Sequence, residues 1–86
     1  MAKHDKTLAA IFAEPVRANI RWNDIEALFE FLGAEISEGR GSRVRVVLND
    51  VRAVFHRPHP RKETSKAAVR SVRTFLTTAG INAPEE

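Results

Sequence analysis

Residues 43–57, with the sequence RVRVVLNDVRAVFHR, decide the fold of this chain. Two runs rich in β-branched residues, Arg43–Leu48 and Val51–Arg57, flank the dipeptide Asn49-Asp50. Asparagine and aspartate tolerate the positive φ angles that a two-residue hairpin turn requires. The stretch therefore predicts a β-hairpin with Asn49 and Asp50 at its tip.

The predicted turn also fixes the register of the hairpin. One face would carry only apolar cross-strand pairs, namely Leu48/Val51, Val46/Ala53 and Val44/Phe55. The other face would carry Val47/Arg52, Arg45/Val54 and Arg43/His56. A slip by one residue would mix the two faces, so the register is well specified. We expect Arg43 to lie opposite His56.

A helix and a short strand are predicted before the hairpin. Asn23 and Glu26 have the spacing of a capping box, and the helix that follows would end at Gly33. Its buried face would consist of Ile25, Leu28, Phe29 and Leu32. Residues 34–38 alternate weakly and predict the short strand.

A second helix is predicted after the hairpin. Thr64 or Ser65 can cap it, and Gly80 would close it. Its inward residues would be Ala68, Val69, Val72, Leu76 and Ala79. The resulting order of helix, three strands and helix predicts an α+β fold.

The length of 86 residues fits one compact domain. We interpret residues 1–20 as an N-terminal arm or short helix, residues 21–81 as the main domain and residues 82–86 as a frayed tail. Lys6–Ala13 has the apolar spacing of a short helix, which Pro15 would interrupt. Trp22 and Phe12 are expected to pack in the core.

The composition excludes several classes of function. The chain has no cysteine, which excludes disulfides, thiolate zinc sites and cysteine nucleophiles and fits a reducing compartment. No apolar stretch is long enough to span a bilayer, and the polar N terminus lacks the apolar segment of a secretory signal. We therefore expect a cytoplasmic protein without a membrane partner.

The positive charge is concentrated in the second half of the chain. Between Arg40 and Arg73 there are ten Lys or Arg against two acids, a balance of +8, whereas residues 1–39 have a balance of −3. The chain uses ten Arg and four Lys, and the arginine fork suits phosphate oxygens and bases. We expect RNA binding through Arg40, Arg45, Arg52, Arg57, Arg61, Lys62 and Lys66.

Two histidines lie within this basic region and can support chemistry. His56 is predicted on the polar face of the hairpin, and His59 lies between Pro58 and Pro60. A histidine beside a phosphodiester can accept the proton of a ribose 2′-OH or protonate the leaving oxygen. The plainer alternative is that His56 is an ordinary exposed strand residue and His59 a structural loop residue. Few carboxylates lie nearby, so no metal and no cofactor is expected.

Several segments together resemble the HicA family of toxins. They are residues 24–33, Gly41-Ser42-Arg43, the hairpin, residues 58–62 with the sequence PHPRK, and residues 76–81 with the sequence LTTAGI. The resemblance covers about residues 21–81. It implies a double-stranded-RNA-binding-like α-β-β-β-α fold, in which a three-stranded antiparallel sheet carries two helices on one face.

The resemblance also implies a function and a partner. Members of this family are mRNA endoribonucleases that a HicB antitoxin neutralises. Their active-site histidine follows the Gly-Ser pair directly, and here that position is Arg43. Because the predicted register puts His56 opposite Arg43, we expect a catalytic site of Arg43 and His56, assisted by His59.

Two other functions remain open from the sequence. The chain can be a catalytically silent RNA-binding module, in which Arg43 adds a phosphate contact. It can also be a regulatory subunit whose basic face binds an acidic partner protein.

Overall fold

A computed structural model describes residues 3–58 and 62–83 of the chain. In chain order the elements are α1 (Lys3–Phe12), α2 (Trp22–Phe31), β1 (Glu35–Glu38), β2 (Arg43–Leu48), β3 (Val51–His56) and α3 (Lys66–Thr78). The strands form one antiparallel sheet in the order β1-β2-β3. The predicted α-β-β-β-α order is confirmed, with an additional helix at the N terminus.

The hairpin of β2 and β3 has the predicted turn and register. Asn49 and Asp50 have φ angles of 51° and 67°, as a two-residue turn that matches the twist of the strands requires. Leu48 pairs with Val51, and at the far end of the hairpin Arg43 pairs with His56. The turn chemistry and the alternation of apolar residues therefore agree in specifying one register.

The sheet has one buried face and one exposed face. Val44, Val46, Leu48 and Phe55 are buried, as predicted for the apolar pairs. On that side α2 packs against β1 and α3 packs against β3. The opposite face carries the exposed residues Arg43, Arg45, Arg52, Val54 and His56. The two helices therefore leave one face of the sheet open to solvent.

Four aromatic residues form the centre of the core. The ring of Phe29 lies 5.8 Å from that of Phe55 and 5.6 Å from that of Phe75. Trp22 is 3% exposed, and its ring lies 5.8 Å from Phe55. The predicted packing role of Trp22 is confirmed. Phe75 was not among the expected inward residues, although it lies three positions after Val72 on the same helical stripe.

Helix α3 begins at one of the two predicted caps. The Oγ atom of Ser65 accepts a hydrogen bond from the backbone N–H of Ala68 at 3.2 Å, so Ser65 rather than Thr64 is the N-cap. At the other end of the helix, Nδ2 of Asn49 donates to the carbonyl oxygen of Ala79 at 2.8 Å. This bond fixes the hairpin turn against the C terminus of α3.

The predicted capping box of α2 is wrong. The N-cap is Arg21, which makes no side-chain cap, and the helix begins at Trp22. The N–H of Trp22 donates to the carbonyl oxygen of Lys62 at 3.0 Å, so a distant segment satisfies the start of the helix. Glu26 does not complete the predicted box with the backbone N–H of Asn23 either, since its carboxylate accepts from the side chains of Trp22 and Arg57.

Helix α1, predicted as an N-terminal arm or short helix, packs into the core. Ile11 is fully buried, and Phe12 packs against the core. Arg73 of α3 donates to the carbonyl oxygen of Ile11 from Nε at 3.1 Å and from Nη2 at 3.0 Å, and to that of Ala13 at 3.0 Å. These bonds satisfy backbone acceptors where α1 ends.

None of the described helices is long and apolar enough to cross a membrane.

Candidate nucleic-acid interface

Six of the predicted site residues lie at one end of the domain, which we call the loop end; they are Arg40, Arg43, His56, Arg57, Lys62 and Lys66. The Asn49-Asp50 turn and the C terminus of α3 mark the opposite end, where Asn49 contacts Ala79. Both β3 and α3 are about 20 Å long and pack against each other, so α3 begins near the end of β3. The β1–β2 loop and the starts of α2 and α3 therefore lie around the end of β3.

Arg43 and His56 form the last cross-strand pair at the loop end. Pairs alternate between hydrogen-bonded and non-hydrogen-bonded positions from the turn onward, and the next hydrogen bond runs from the N–H of Arg57 to Ser42 O at 2.8 Å. Arg43 and His56 thus occupy a non-hydrogen-bonded position, where Cα atoms are about 4.5 Å apart and side chains approach closely. Both residues are exposed. The guanidinium and the imidazole can therefore reach one bound group together.

The loop between β1 and β2 holds Arg40 beside this pair. The N–H of Arg43 donates to Arg40 O at 3.1 Å, and the N–H of Gly39 donates to Arg43 O at 3.0 Å. A Cβ atom at position 39 would lie 3.0 Å from the Cβ of Arg43. Glycine at this position therefore permits the close approach of the loop to the start of β2.

Arg57 lies between two carboxylates. Its Nε donates to Glu26 Oε2 at 2.6 Å and its Nη2 to Glu26 Oε1 at 3.2 Å. Its Nη1 and Nη2 donate to the two carboxylate oxygens of Glu38 at 2.6 Å and 2.9 Å. All three guanidinium nitrogens are thus engaged, whereas Arg57 was expected to contact phosphate. The residue joins the end of β3 to α2 and to β1.

These ion pairs change the titration of both partners. The hydrogen bonds from Arg57 lower the pKa of Glu38 below the ordinary value for a glutamate. Hydrogen bonds to Glu38 and then to Glu26 raise the pKa of Arg57. Both shifts favour the charged forms of Glu38 and Arg57 at neutral pH.

Arg45 and Arg52 lie on the exposed face of the sheet, farther from the loop end. Arg45 is paired with Val54, and Arg52 is paired with Val47. Arg52 is four residues from His56 along β3, a separation of about 13 Å. A shallow groove runs across this face, and its lining includes Arg45, Arg52, Val54, Val47, Glu35 and Ser37. The structure therefore separates Arg52 from the Arg43–His56 pair.

Lys66 is the first residue of α3, and Lys62 lies in the segment that leads into it. Both side chains are exposed, and the first turn of α3 contains no acidic residue. The positive end of the helix dipole and the two lysines therefore add to the positive potential at the loop end. Two further predicted residues, His59 and Arg61, lie outside the described residues.

The part of the chain that the structure describes contains no group of three or more His, Asp or Glu residues placed to hold a metal ion. The chemistry of the described site consists of exposed guanidinium, ammonium and imidazole groups. Such groups bind anions and transfer protons.

A comparison with protein families finds one match that covers most of the chain. The family described as "HicA toxin of bacterial toxin-antitoxin" matches residues 22–81. The chain belongs to the HicA toxin family. No curated protein and no solved structure matches the chain. The predicted resemblance is confirmed, and with it membership of a family of toxin–antitoxin toxins.

The HicA match contains the whole sheet, α2, α3 and every predicted site residue. Helix α1 precedes it. Within the matched region, Arg43 follows Gly41-Ser42 at the position where the resemblance implies a histidine, and the observed pairing puts His56 directly across the hairpin from it.

The two carboxylate partners of Arg57 were missed by the sequence analysis. Glu26 and Glu38 are 31 and 19 residues away from Arg57, and no local pattern connects them. One indirect signal existed, since the first 39 residues contain seven acids against four basic residues. Such an excess of acids indicates that some of them pair with the basic half.

Proposed function

We propose that this HicA-family chain is an mRNA endoribonuclease toxin that a HicB-like antitoxin holds inactive. The observation that carries the proposal is the pairing of Arg43 with His56 on an exposed face rich in cations. The site offers an imidazole for proton transfer and a guanidinium for a phosphate in one place. Since the substrate is mRNA, the proposed site of action is the cytoplasm.

The proposed reaction is a transesterification within the RNA strand. His56 accepts the proton of a ribose 2′-OH, and the 2′-oxygen forms a bond to the adjacent phosphorus. The bond from phosphorus to the 5′-oxygen breaks, and His59 or a neighbouring cation protonates that oxygen. Arg43 stabilises the negative charge on the non-bridging oxygens. The products are a 2′,3′-cyclic phosphate and a 5′-hydroxyl, and the reaction needs no metal.

We propose that the remaining basic residues hold the RNA backbone. They are Arg40, Arg45, Arg52, Arg61, Lys62 and Lys66. Arg57, whose guanidinium nitrogens are bonded to Glu26 and Glu38, is instead proposed as a positioning residue. It would act by holding the end of β3, and therefore His56, against α2.

We propose that the antitoxin binds the exposed face of the sheet. Val54 is 54% exposed, and Arg45 and Arg52 lie beside it in the shallow groove. An apolar patch with flanking arginines suits a protein partner that presents apolar and acidic side chains. Such a partner would cover Arg45 and approach the Arg43–His56 pair.

A cleavage assay in the presence of a chelator tests the proposal. Purified wild type, His56→Ala and His59→Ala are incubated with RNA, and the cut ends are mapped. We expect wild-type cleavage with a cyclic phosphate end and a loss of about 10²-fold or more in His56→Ala. His4→Ala, which changes a histidine of α1, is the matched control. Full activity in His56→Ala would overturn the assignment.

Arg43 stands where the family resemblance implies the active-site histidine, and this favours a second candidate function, an RNA-binding module without nuclease activity. In that case wild type binds RNA but does not cut it, and Arg43→His gains cleavage. A regulatory subunit that binds an acidic partner would show no preference for RNA over DNA. Affinities for RNA, DNA and the antitoxin at several salt concentrations separate these functions.

A further inference from the structure

A second group of basic residues lines a groove outside the region that the HicA family matches. Lys3 and Lys6 of α1 lie on one side, and Arg17 and Arg21 lie in the segment that leads into α2. The rest of the lining consists of Thr7, Ala10, Asn19, Ile20 and Asp24. We call this the N-terminal groove.

The N-terminal groove is positive although its half of the chain is acidic. Residues 1–39 contain four basic side chains, and all four line this groove. Acids of the same half are bonded elsewhere: Glu14 pairs with Arg73, and both Glu26 and Glu38 pair with Arg57. The fold therefore separates the two signs of charge in a way that composition does not reveal.

One carboxylate lines the groove. Asp24 forms an ion pair with Lys3, with 3.2 Å between Nζ and Oδ1. Lys6, Arg17 and Arg21 are exposed and form no ion pair with any described carboxylate. Three positive charges therefore remain available to an anionic ligand.

One wall of the N-terminal groove adjoins the loop end. Arg21 pairs with Glu63 in antiparallel fashion, and the N–H of Thr64 donates to Ile20 O at 2.7 Å. The chain on one wall of the groove thus lies beside the residues that lead into α3. Lys62, a proposed RNA contact, accepts from the N–H of Trp22 through its carbonyl oxygen.

We propose that the N-terminal groove binds the phosphate backbone of the same RNA strand that occupies the loop end. Lys6, Arg17 and Arg21 would each contact the phosphodiester backbone, which extends the bound strand beyond the cleavage site. The inference rests on the proposed RNA function. It assigns the helix that precedes the family match a role in substrate binding, without a role in the chemical step.

Salt-dependent RNA affinity tests this inference. A labelled, unstructured single-stranded RNA is titrated with wild type, Lys6→Gln, Arg17→Gln and the double variant at several salt concentrations. Each single variant is expected to reduce the magnitude of the slope of log K, the association constant, against log salt by about 0.7. In the double variant the expected reduction is about 1.4. Arg70→Gln removes one exposed charge of α3 outside the groove and is the matched control.

A second variant is expected to strengthen RNA binding, which a loss of folding could not do. Asp24→Asn removes the carboxylate of the groove and frees Lys3, so RNA binding is expected to tighten and its salt slope to steepen. Weaker or unchanged binding by Asp24→Asn would contradict the proposal.

The remaining outcomes distinguish a failure of the groove proposal from a failure of the proposed RNA function. If wild type binds RNA and the double variant matches Arg70→Gln, the groove proposal is overturned and the RNA function stands. If the double variant loses inhibition by the antitoxin but keeps its RNA affinity, the groove binds protein and the proposal is again overturned. If wild type binds no RNA, the proposed function fails and the groove proposal fails with it.

Discussion

Arg57 holds the carboxylate of Glu26 through two nitrogens, with Nε donating to Oε2 at 2.6 Å and Nη2 to Oε1 at 3.2 Å. Both side chains are mostly buried, with Arg57 32% and Glu26 20% exposed. Because two guanidinium nitrogens bind two oxygens of one carboxylate, the pair fixes the relative orientation of the two side chains as well as the distance between them. The end of β3, which carries His56, is thereby fixed to the first turns of α2.

Replacing Arg57 is expected to destabilise the domain. Arg57→Gln leaves the carboxylate of Glu26 partly buried, with Trp22 Nε1 as its one remaining donor among the described residues, at a cost of about 1–3 kcal/mol in the free energy of unfolding. Urea denaturation measures it. Arg52→Gln removes an exposed arginine that pairs with no described carboxylate, and its cost should stay within about 0.5 kcal/mol. Equal costs for the two variants would refute a structural role for Arg57.

Acid should weaken the link between Arg57 and Glu38. The pKa of Glu38 is lowered in the folded state by the hydrogen bonds from Arg57. The stabilisation is therefore complete above the unfolded pKa of Glu38 and is lost as the pH falls through its lowered folded pKa. An NMR titration of the Glu38 carboxyl carbon should show a midpoint below that of an ordinary glutamate. In Arg57→Gln that midpoint should rise, and an unchanged midpoint would exclude Arg57 as the cause.

Arg73 should govern the attachment of α1. Arg73→Gln removes the hydrogen bonds to Ile11 O and Ala13 O and the ion pair with Glu14. We expect a loss of about 1–3 kcal/mol in the free energy of unfolding and faster hydrogen exchange in α1. Arg70→Gln, one turn earlier on α3, should leave both quantities near wild type. Exchange that accelerates equally throughout the domain would argue against a local link.

Glycine at position 39 should be required for the position of Arg43. Gly39→Ala would bring two Cβ atoms to 3.0 Å, and the Cβ of Arg43 is held by strand pairing. The loop must shift, at a cost of about 1–3 kcal/mol. Amide chemical shifts should change most around Arg43 and Arg40. Ser42→Ala, an exposed neighbour, is the control, and similar shifts in both variants would disprove the steric account.

Arg43 and Arg45 should differ in their effects on cleavage, if the proposed reaction is correct. Arg43→Gln removes a donor to the transition state and is expected to lower kcat by about 10²-fold. Arg45→Gln removes a charge farther from His56, so its effect should fall on RNA affinity and salt dependence. Cleavage assays at saturating RNA measure the difference. A kcat that falls equally in both variants would rule out a specific role for Arg43.

Local signals determined how much of this structure the sequence could predict. The hairpin register followed from Asn49-Asp50 and from alternation within two short strands, and the cap of α3 was limited to Thr64 or Ser65, of which the structure shows Ser65. The start of α2 did not, because a carbonyl of Lys62 satisfies Trp22 from 40 residues away. The partners of Arg57 and the N-terminal groove were missed for the same reason. Each depends on tertiary contacts between segments whose sequences carry no mutual pattern.

The burial of Ile11 has a consequence for where this protein can be shortened. The family match begins at residue 22, yet Ile11 is fully buried and lies in one core cluster with Ile25, Leu28 and Val69. A chain that begins at residue 22 would expose that part of the core to water and lose the carbonyl acceptors of Arg73. The stretch that the family matches and the stretch that forms the core of this molecule are therefore different.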